Sequence, residues 1–240
     1  MILLKKYLFV LLLFCLFLSL IYFLFLKKDV YTFHSVSLIA SSQLDTEKKI
    51  EEISPDYGYK INIHYPYTSY SILNQKIEEL IKKYLEDFVS ASKPFIDNQI
   101  YSLDITYDTY FYQDIISYVF TIFVNTGGAH PNTIIDTISY DKKENKMITI
   151  SELVKNNPNL LAFLSNKSRE ELLKNKDLQN QSIKEMLLEG TSPTNDNFKN
   201  FAFTSNGFTI YFNRYQVAPY SYGSFYIAIP YSEFNINRRS

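Results

Sequence analysis

Between Ile115 and Val124 apolar side chains occupy both alternating faces of the chain: Val119 and Phe123 on one, Ile116, Tyr118, Phe120, Ile122 and Val124 on the other. A strand with one wet face alternates apolar and polar residues. A run that is apolar on both faces belongs in the middle of a sheet, covered above and below. It runs into Asn125-Thr126-Gly127-Gly128-Ala129-His130-Pro131. There Gly127 and Gly128 allow backbone angles other residues avoid, and Pro131 removes a ladder donor. The rest of the chain must supply two covering layers, and the turn is a place to display side chains.

The flanking sequence supplies strands and helices in turn. Tyr59, Ile61, Ile63 and Tyr65 share one strand face, with His64 on the opposite, polar face as a solvated histidine. From Ser71 to Ser90 the period becomes helical, through Leu73, Ile77, Leu80, Ile81, Tyr84, Leu85 and Phe88. Tyr101 to Tyr112 alternates again and forms a hairpin with the central strand across Gln113-Asp114, and Asn132 to Tyr140 extends the meander. Asn157-Pro158 reads as an N-cap with proline at the first helical position, and a further helix near Gln179 to Glu189 stops at Gly190. Asn206-Gly207 is a hairpin signal between Phe198–Thr204 and the strand of Phe208, Ile210 and Phe212; Phe225 to Ile229 is the last strand. This order predicts an α+β fold, an antiparallel sheet with helices packed against it.

Upstream, Tyr7 to Leu26 is an unbroken apolar run. As a helix it is roughly 30 Å long, the thickness of a bilayer core. No small residues at its end suit a signal-peptidase site, and Phe14 before Cys15 does not suit a lipoprotein. The expectation is an uncleaved single-pass anchor, with Lys5 and Lys6 in the cytoplasm and everything after Lys28 outside. Residues 1–28 are thus a short cytoplasmic tail and anchor, and 29–53 a linker that has weak strand character near Thr32–Ile39 and a charged run at Asp45–Glu52. The exported module follows in two parts, 54–128 and 129–240.

Residues 1–28 hold four of the 24 basic residues and no acid, which leaves 20 basic against 25 acidic side chains, a net of −5, in the remainder. That balance argues against nucleic acid as a partner. Cys15, inside the apolar run, is the only cysteine, so disulfides, thiolate metal sites and thiol catalysis are excluded. No phosphate-binding glycine loop, HExxH or GxSxG motif occurs, so no cofactor, metal site or catalytic residue is assigned.

His34, His64 and His130 are the three histidines, and only His130 lies in an ordered-looking turn. It can brace the turn by hydrogen bonding, touch a partner, or, with His64 or acids such as Asp104 or Asp136, serve chemistry. Asp104 and Asp108 on one strand face imitate a catalytic carboxylate pair, but belong more simply to the wet face of the strand. Pro219-Tyr220-Ser221-Tyr222-Gly223 offers tyrosines beside a Pro/Gly turn, rigid amphipathic area of the kind recognition surfaces use. The same two rings could instead plug the end of the sheet.

The GGAHP run, followed by Tyr215-Gln216-Val217-Ala218-Pro219-Tyr220-Ser221-Tyr222-Gly223, resembles an extracytoplasmic module of Gram-positive bacteria. That module occurs in the lysozyme-sensing membrane anti-sigma factor and in the accessory region of a peptidoglycan deacetylase. Ser54 to Asn125 resembles the segment that precedes it. The resemblance implies an α+β fold outside the membrane, with the GGAHP turn and the Pro-Tyr loop approaching each other to meet a partner such as lysozyme or a wall glycan. The positions it carries over as ligand-binding are His130, Pro219 and Tyr220; Tyr222 joins them from the reading of the tyrosine loop itself, and Gly127, Gly128, Pro131 and Gly223 are read as shaping the turns. Two features depart from the family. The few residues before Tyr7 cannot grip a sigma factor, and no catalytic domain follows. The expectation is therefore a membrane-anchored binding or sensing module, with a small wall-modifying hydrolase or deacetylase using His130 as the rival.

Overall fold

A computed structural model describes residues 46–54, 58–92 and 101–234. The apolar run expected to span the membrane, the strand expected near Thr32–Ile39 and His34 all lie outside the described residues. Among the described residues no helix is long and apolar enough to cross a membrane.

The doubly apolar run is β4 (Ile115–Asn125), and it sits inside a six-stranded sheet. In order across the sheet the strands are β1 (Thr46–Ser54), β2 (Tyr59–Tyr67), β3 (Tyr101–Tyr112), β4, β5 (Asn132–Asp141) and β6 (Lys146–Ile148). Both covering layers are present. On one face Ile116, Tyr118, Phe120 and Ile122 pack against Leu73, Ile77, Ile81, Tyr84 and Phe88 of α1 (Ser71–Ala91). On the other, Ile115 joins a second core built with β7 (Phe201–Thr204), β8 (Gly207–Phe212) and β9 (Phe225–Ile229), a three-stranded sheet, and with α2 (Ile150–Asn156), α3 (Leu160–Leu172) and α4 (Gln181–Gly190). The α+β class stands, and the sheets are mainly antiparallel.

Edge chemistry explains how the small sheet stands on the large one. β7 pairs with β8 alone, so amides on its other side need acceptors. Phe203 N–H donates to Ser117 Oγ at 3.0 Å and Phe201 N–H donates to Thr137 Oγ1 at 2.9 Å. Ser117 is fully buried in β4 and shares a 2.9 Å hydrogen bond with Ser139 Oγ. The serine that interrupts the apolar run is thus an acceptor for a neighbouring sheet edge.

Several local expectations change. The charged run read as part of a linker is edge strand β1, whose Lys and Glu side chains suit an edge that must not recruit a second chain. β2 and β3 pair in parallel because α1 carries the chain back across the sheet, so the sheet is not wholly antiparallel. The large sheet also runs through the expected boundary at 128/129. Asn157 ends α2, with its Nδ2 donating to Leu153 O at 2.8 Å, instead of starting α3; α2 itself begins with a Thr149/Glu152 capping box. Gly190 is the last residue of α4, where a Cβ would lie 1.8 Å from Gln216 O, so close approach rather than a left-handed cap requires glycine.

Candidate binding surface

The turn after β4 is built locally. Asn125 Oδ1 accepts from Gly127 N–H at 3.2 Å, and Gly127 takes φ 74°. This is the left-handed region glycine enters without cost. Gly128 has no such requirement, and a Cβ there would meet nothing within 4 Å. Its expected role in shaping the turn is therefore not visible. His130 is exposed and Pro131 is half-buried at the entrance to β5.

The second loop leaves β8 and is tied down at several points. Asn213 accepts from Ile135 N–H at 2.6 Å and donates to Ile135 O at 2.9 Å, clamping the start of the loop to β5. Gln216 Nε2 donates to Gly190 O at 3.1 Å and to Asn197 O at 2.9 Å. Val217 and Ala218 are buried in the core, and Pro219 leads into a 3-10 turn, Tyr220–Tyr222. Gly223 closes that turn at φ 77°, ψ −158°, a conformation almost confined to glycine.

These ties deliver Tyr220 to the first loop. Its hydroxyl donates to Pro131 O at 2.5 Å, and its ring stacks on His130 with centroids 3.7 Å apart and planes 21° apart. The Arg214 guanidinium carbon lies 4.4 Å from the centre of the same ring, and Tyr215 is tilted against it at 5.7 Å. Two planar groups so near one centroid cannot share a face, so the phenol is held between imidazole and guanidinium. Tyr220 is the joint of the two loops. The rings left facing outward are Tyr215, 54% exposed, Tyr222, 39% exposed, and the free face of His130.

Other titratable groups are not gathered here. His64 is half-buried, with Nδ1 3.3 Å from Glu47 Oε1 and Nε2 3.2 Å from Asn62 Oδ1. Asp104 meets Asn62 at 3.5 Å, and Asp136 accepts from Tyr84 on the α1 side of the sheet at 3.2 Å. No group of three His, Cys, Asp or Glu side chains able to hold a metal occurs among the described residues. Sequence reasoning passed over Arg214, Asn213 and Gln216. An arginine between a strand end and a tyrosine-rich loop was the available signal. The clamps of Asn213 and Gln216 have no local signature because their partners are distant.

Residues 54–133 match the family model described as deacetylase PdaC, and residues 151–232 match the one described as protein of unknown function DUF3298. The chain carries the two-part module that its motifs resemble, a PdaC-type segment followed by a DUF3298 segment. It is 29% identical over 178 residues to the peptidoglycan-N-acetylmuramic acid deacetylase PdaC of Bacillus subtilis, covering 72% of this chain and 37% of that protein. It is 28% identical over 195 residues to the immunogenic protein MPT64 of Mycobacterium tuberculosis, covering 78% of this chain and 82% of that one. Two crystal structures of DUF3298 family proteins, from Pseudomonas aeruginosa and Bacteroides fragilis, share the fold at TM-score 0.58 and 18% identity, over 82% of this chain and 94% of each of those. The chain spans little more than a third of the B. subtilis deacetylase, and His130 and Tyr220, on either side of the PdaC/DUF3298 junction, touch each other.

Proposed function

We propose that this protein is a membrane-anchored, extracytoplasmic binding module that recognises a cell-wall component or a lysozyme-like protein. The loop junction formed by His130, Pro131, Pro219, Tyr220 and Tyr222 is its contact surface. The observation that carries the reading is the locking of two loops, 89 positions apart, by the Tyr220–Pro131 hydrogen bond. That bond holds outward-facing rings rigid before any partner arrives. Preorganised tyrosine area costs little entropy on binding and is favoured where affinity concentrates. The apolar run at residues 7–26 supports the anchor, and the PdaC likeness supports the link to the wall. For the rival hydrolase or deacetylase, His130 would need a carboxylate partner or metal-ligand neighbours. Its ring is instead stacked on a phenol.

Calorimetric titration of the full chain with lysozyme and with peptidoglycan fragments tests the reading. Saturable binding to either, weakened about 10- to 100-fold by Tyr222→Ala or His130→Ala without loss of fold, is the expected result. Absence of binding to both sinks it. Glycan or acetyl hydrolysis that depends on His130 would favour the enzyme instead.

A further inference from the structure

Arg214 is the charged member of the junction, and its hydrogen bonding is incomplete. Its Nε is buried without an acceptor, and among the described residues no carboxylate or carbonyl pairs with the guanidinium. The group is half-buried and rests on Tyr220. A cation stacked on a ring is partly stripped of water, and an unmet buried donor costs about 1–3 kcal/mol. The backbone beside it is also unusual. Tyr215 sits at φ 64°, which costs a side chain with a Cβ about 1–2 kcal/mol. Strain and an unmet donor at adjacent residues, on a loop otherwise clamped by Asn213 and Gln216, mark a place shaped for something other than stability.

Resting on the binding reading above, we infer that Arg214 receives a carboxylate carried by the ligand, while Tyr215, Tyr222 and His130 pack against the apolar or sugar-ring surface beside it. The chemistry is that of a planar guanidinium. With one side on Tyr220 and Nε enclosed, the terminal nitrogens remain as paired donors, and a carboxylate is the anion whose two oxygens match them in one plane. The flanking tyrosines supply the stacking faces that saccharides use. Wall polymers offer such a carboxylate from two sources, the lactyl ether of N-acetylmuramic acid and the C-terminus of a stem peptide.

The test titrates the full chain with four probes. They are a glycan of alternating N-acetylglucosamine and N-acetylmuramic acid with free lactyl carboxylates, the same glycan reduced to lactyl alcohols, a stem-type peptide with a free C-terminus, and its C-terminal amide. One carboxylate form should bind about 10- to 100-fold more tightly than its neutral counterpart, and the pair showing the difference identifies the source. Arg214→Gln should erase that difference between acid and neutral forms, and Arg214→Lys should restore only part of it. Because the neutral probes act on unmutated protein, the comparison survives even if an Arg214 variant loosens the loop. Equal binding of acid and neutral forms overturns the carboxylate inference and leaves the binding reading standing. Binding of lysozyme but of no wall probe does the same. A poly(glycerol phosphate) probe that outcompetes both carboxylates overturns it in favour of a phosphodiester. No binding of any probe or of lysozyme removes both.

Discussion

The phenol of Tyr220 donates to the carbonyl oxygen of Pro131 at 2.5 Å, joining the two loops of the candidate surface across 89 positions of chain. Pro131 has no amide hydrogen of its own, so this carbonyl is the polar group by which the turn's last residue can be held. The arrangement couples the candidate surface to the stability of the fold beneath it.

Tyr220→Phe removes only the hydroxyl and should cost about 0.5–1.5 kcal/mol, a fall in Tm of a few degrees. Tyr220→Ala also removes the ring between His130 and Arg214 and should cost more. In both, amide exchange should accelerate first at residues 126–130. Equal Tm in all three proteins would show that the joint does not hold.

Ser117→Ala leaves the buried Phe203 N–H without its acceptor at 3.0 Å. Denaturant unfolding should show a loss of about 1–3 kcal/mol with an unchanged m-value. Since the freed space is one oxygen atom, packing loss alone predicts a smaller effect. An unchanged midpoint would remove the edge-capping account of the serine.

Two glycines make a matched pair. Gly190→Ala places a Cβ 1.8 Å from the Gln216 carbonyl oxygen, so α4 or the Gln216 loop must shift. Stability should drop, and ligand affinity with it if the loop is the part that moves. Gly128→Ala meets nothing. It should be neutral or stabilise by about 0.4–1 kcal/mol through the unfolded chain. Thermal melts of the two variants side by side decide the matter, and a reversal of their order would contradict both assignments.

Alkaline pH should weaken the fold through two phenols shielded from water, buried Tyr84 and half-buried Tyr211. Burial first, and then the Asp136 carboxylate, raise the Tyr84 hydroxyl above its ordinary value of 10.0; burial first, and then Tyr110, raise Tyr211. Such a phenol keeps its proton in the fold after the unfolded chain has begun to lose it. Its contribution is complete below the unfolded value and is lost as pH climbs beyond it. Denaturant midpoints should therefore fall between about pH 9.5 and 11, with a gentler slope in a Tyr84→Phe/Tyr211→Phe variant. Identical slopes would exclude these two groups as the cause.

Where the sequence was legible, period and composition were enough. Alternating, doubly apolar or helical runs identified β2, β3, β4, β8 and α1, because burying the faces of an element leaves a pattern in the residues themselves. Edge strand β1 carries no such repeat, since its charged side chains answer to an edge rather than a core. The parallel pairing of β2 with β3 was hidden too, because it depends on where α1 returns the chain. Gly207 shows the same division at one residue. It follows Asn206 in a hairpin signal, yet its φ of 139° and a Cβ position 2.1 Å from Ile229 O tie it to β9. The two-residue connection is Ser205-Asn206, with Gly207 already paired to Thr204.

By itself the chain determined that β4 would be buried on both sides, that the class would be α+β, and that the chain would turn at GGAHP and at the Pro-Tyr loop. Each of these follows from local conformational cost or from the spacing of apolar side chains, which neighbouring residues carry between them. Only the tertiary structure decided that Tyr220 would be the joint rather than an exposed contact, that Arg214 would rest on it without an anionic partner, and that Ser117 would serve another sheet's edge. Those relations depend on distance and orientation between residues far apart in sequence, and such pairings are selected by the packing of whole layers.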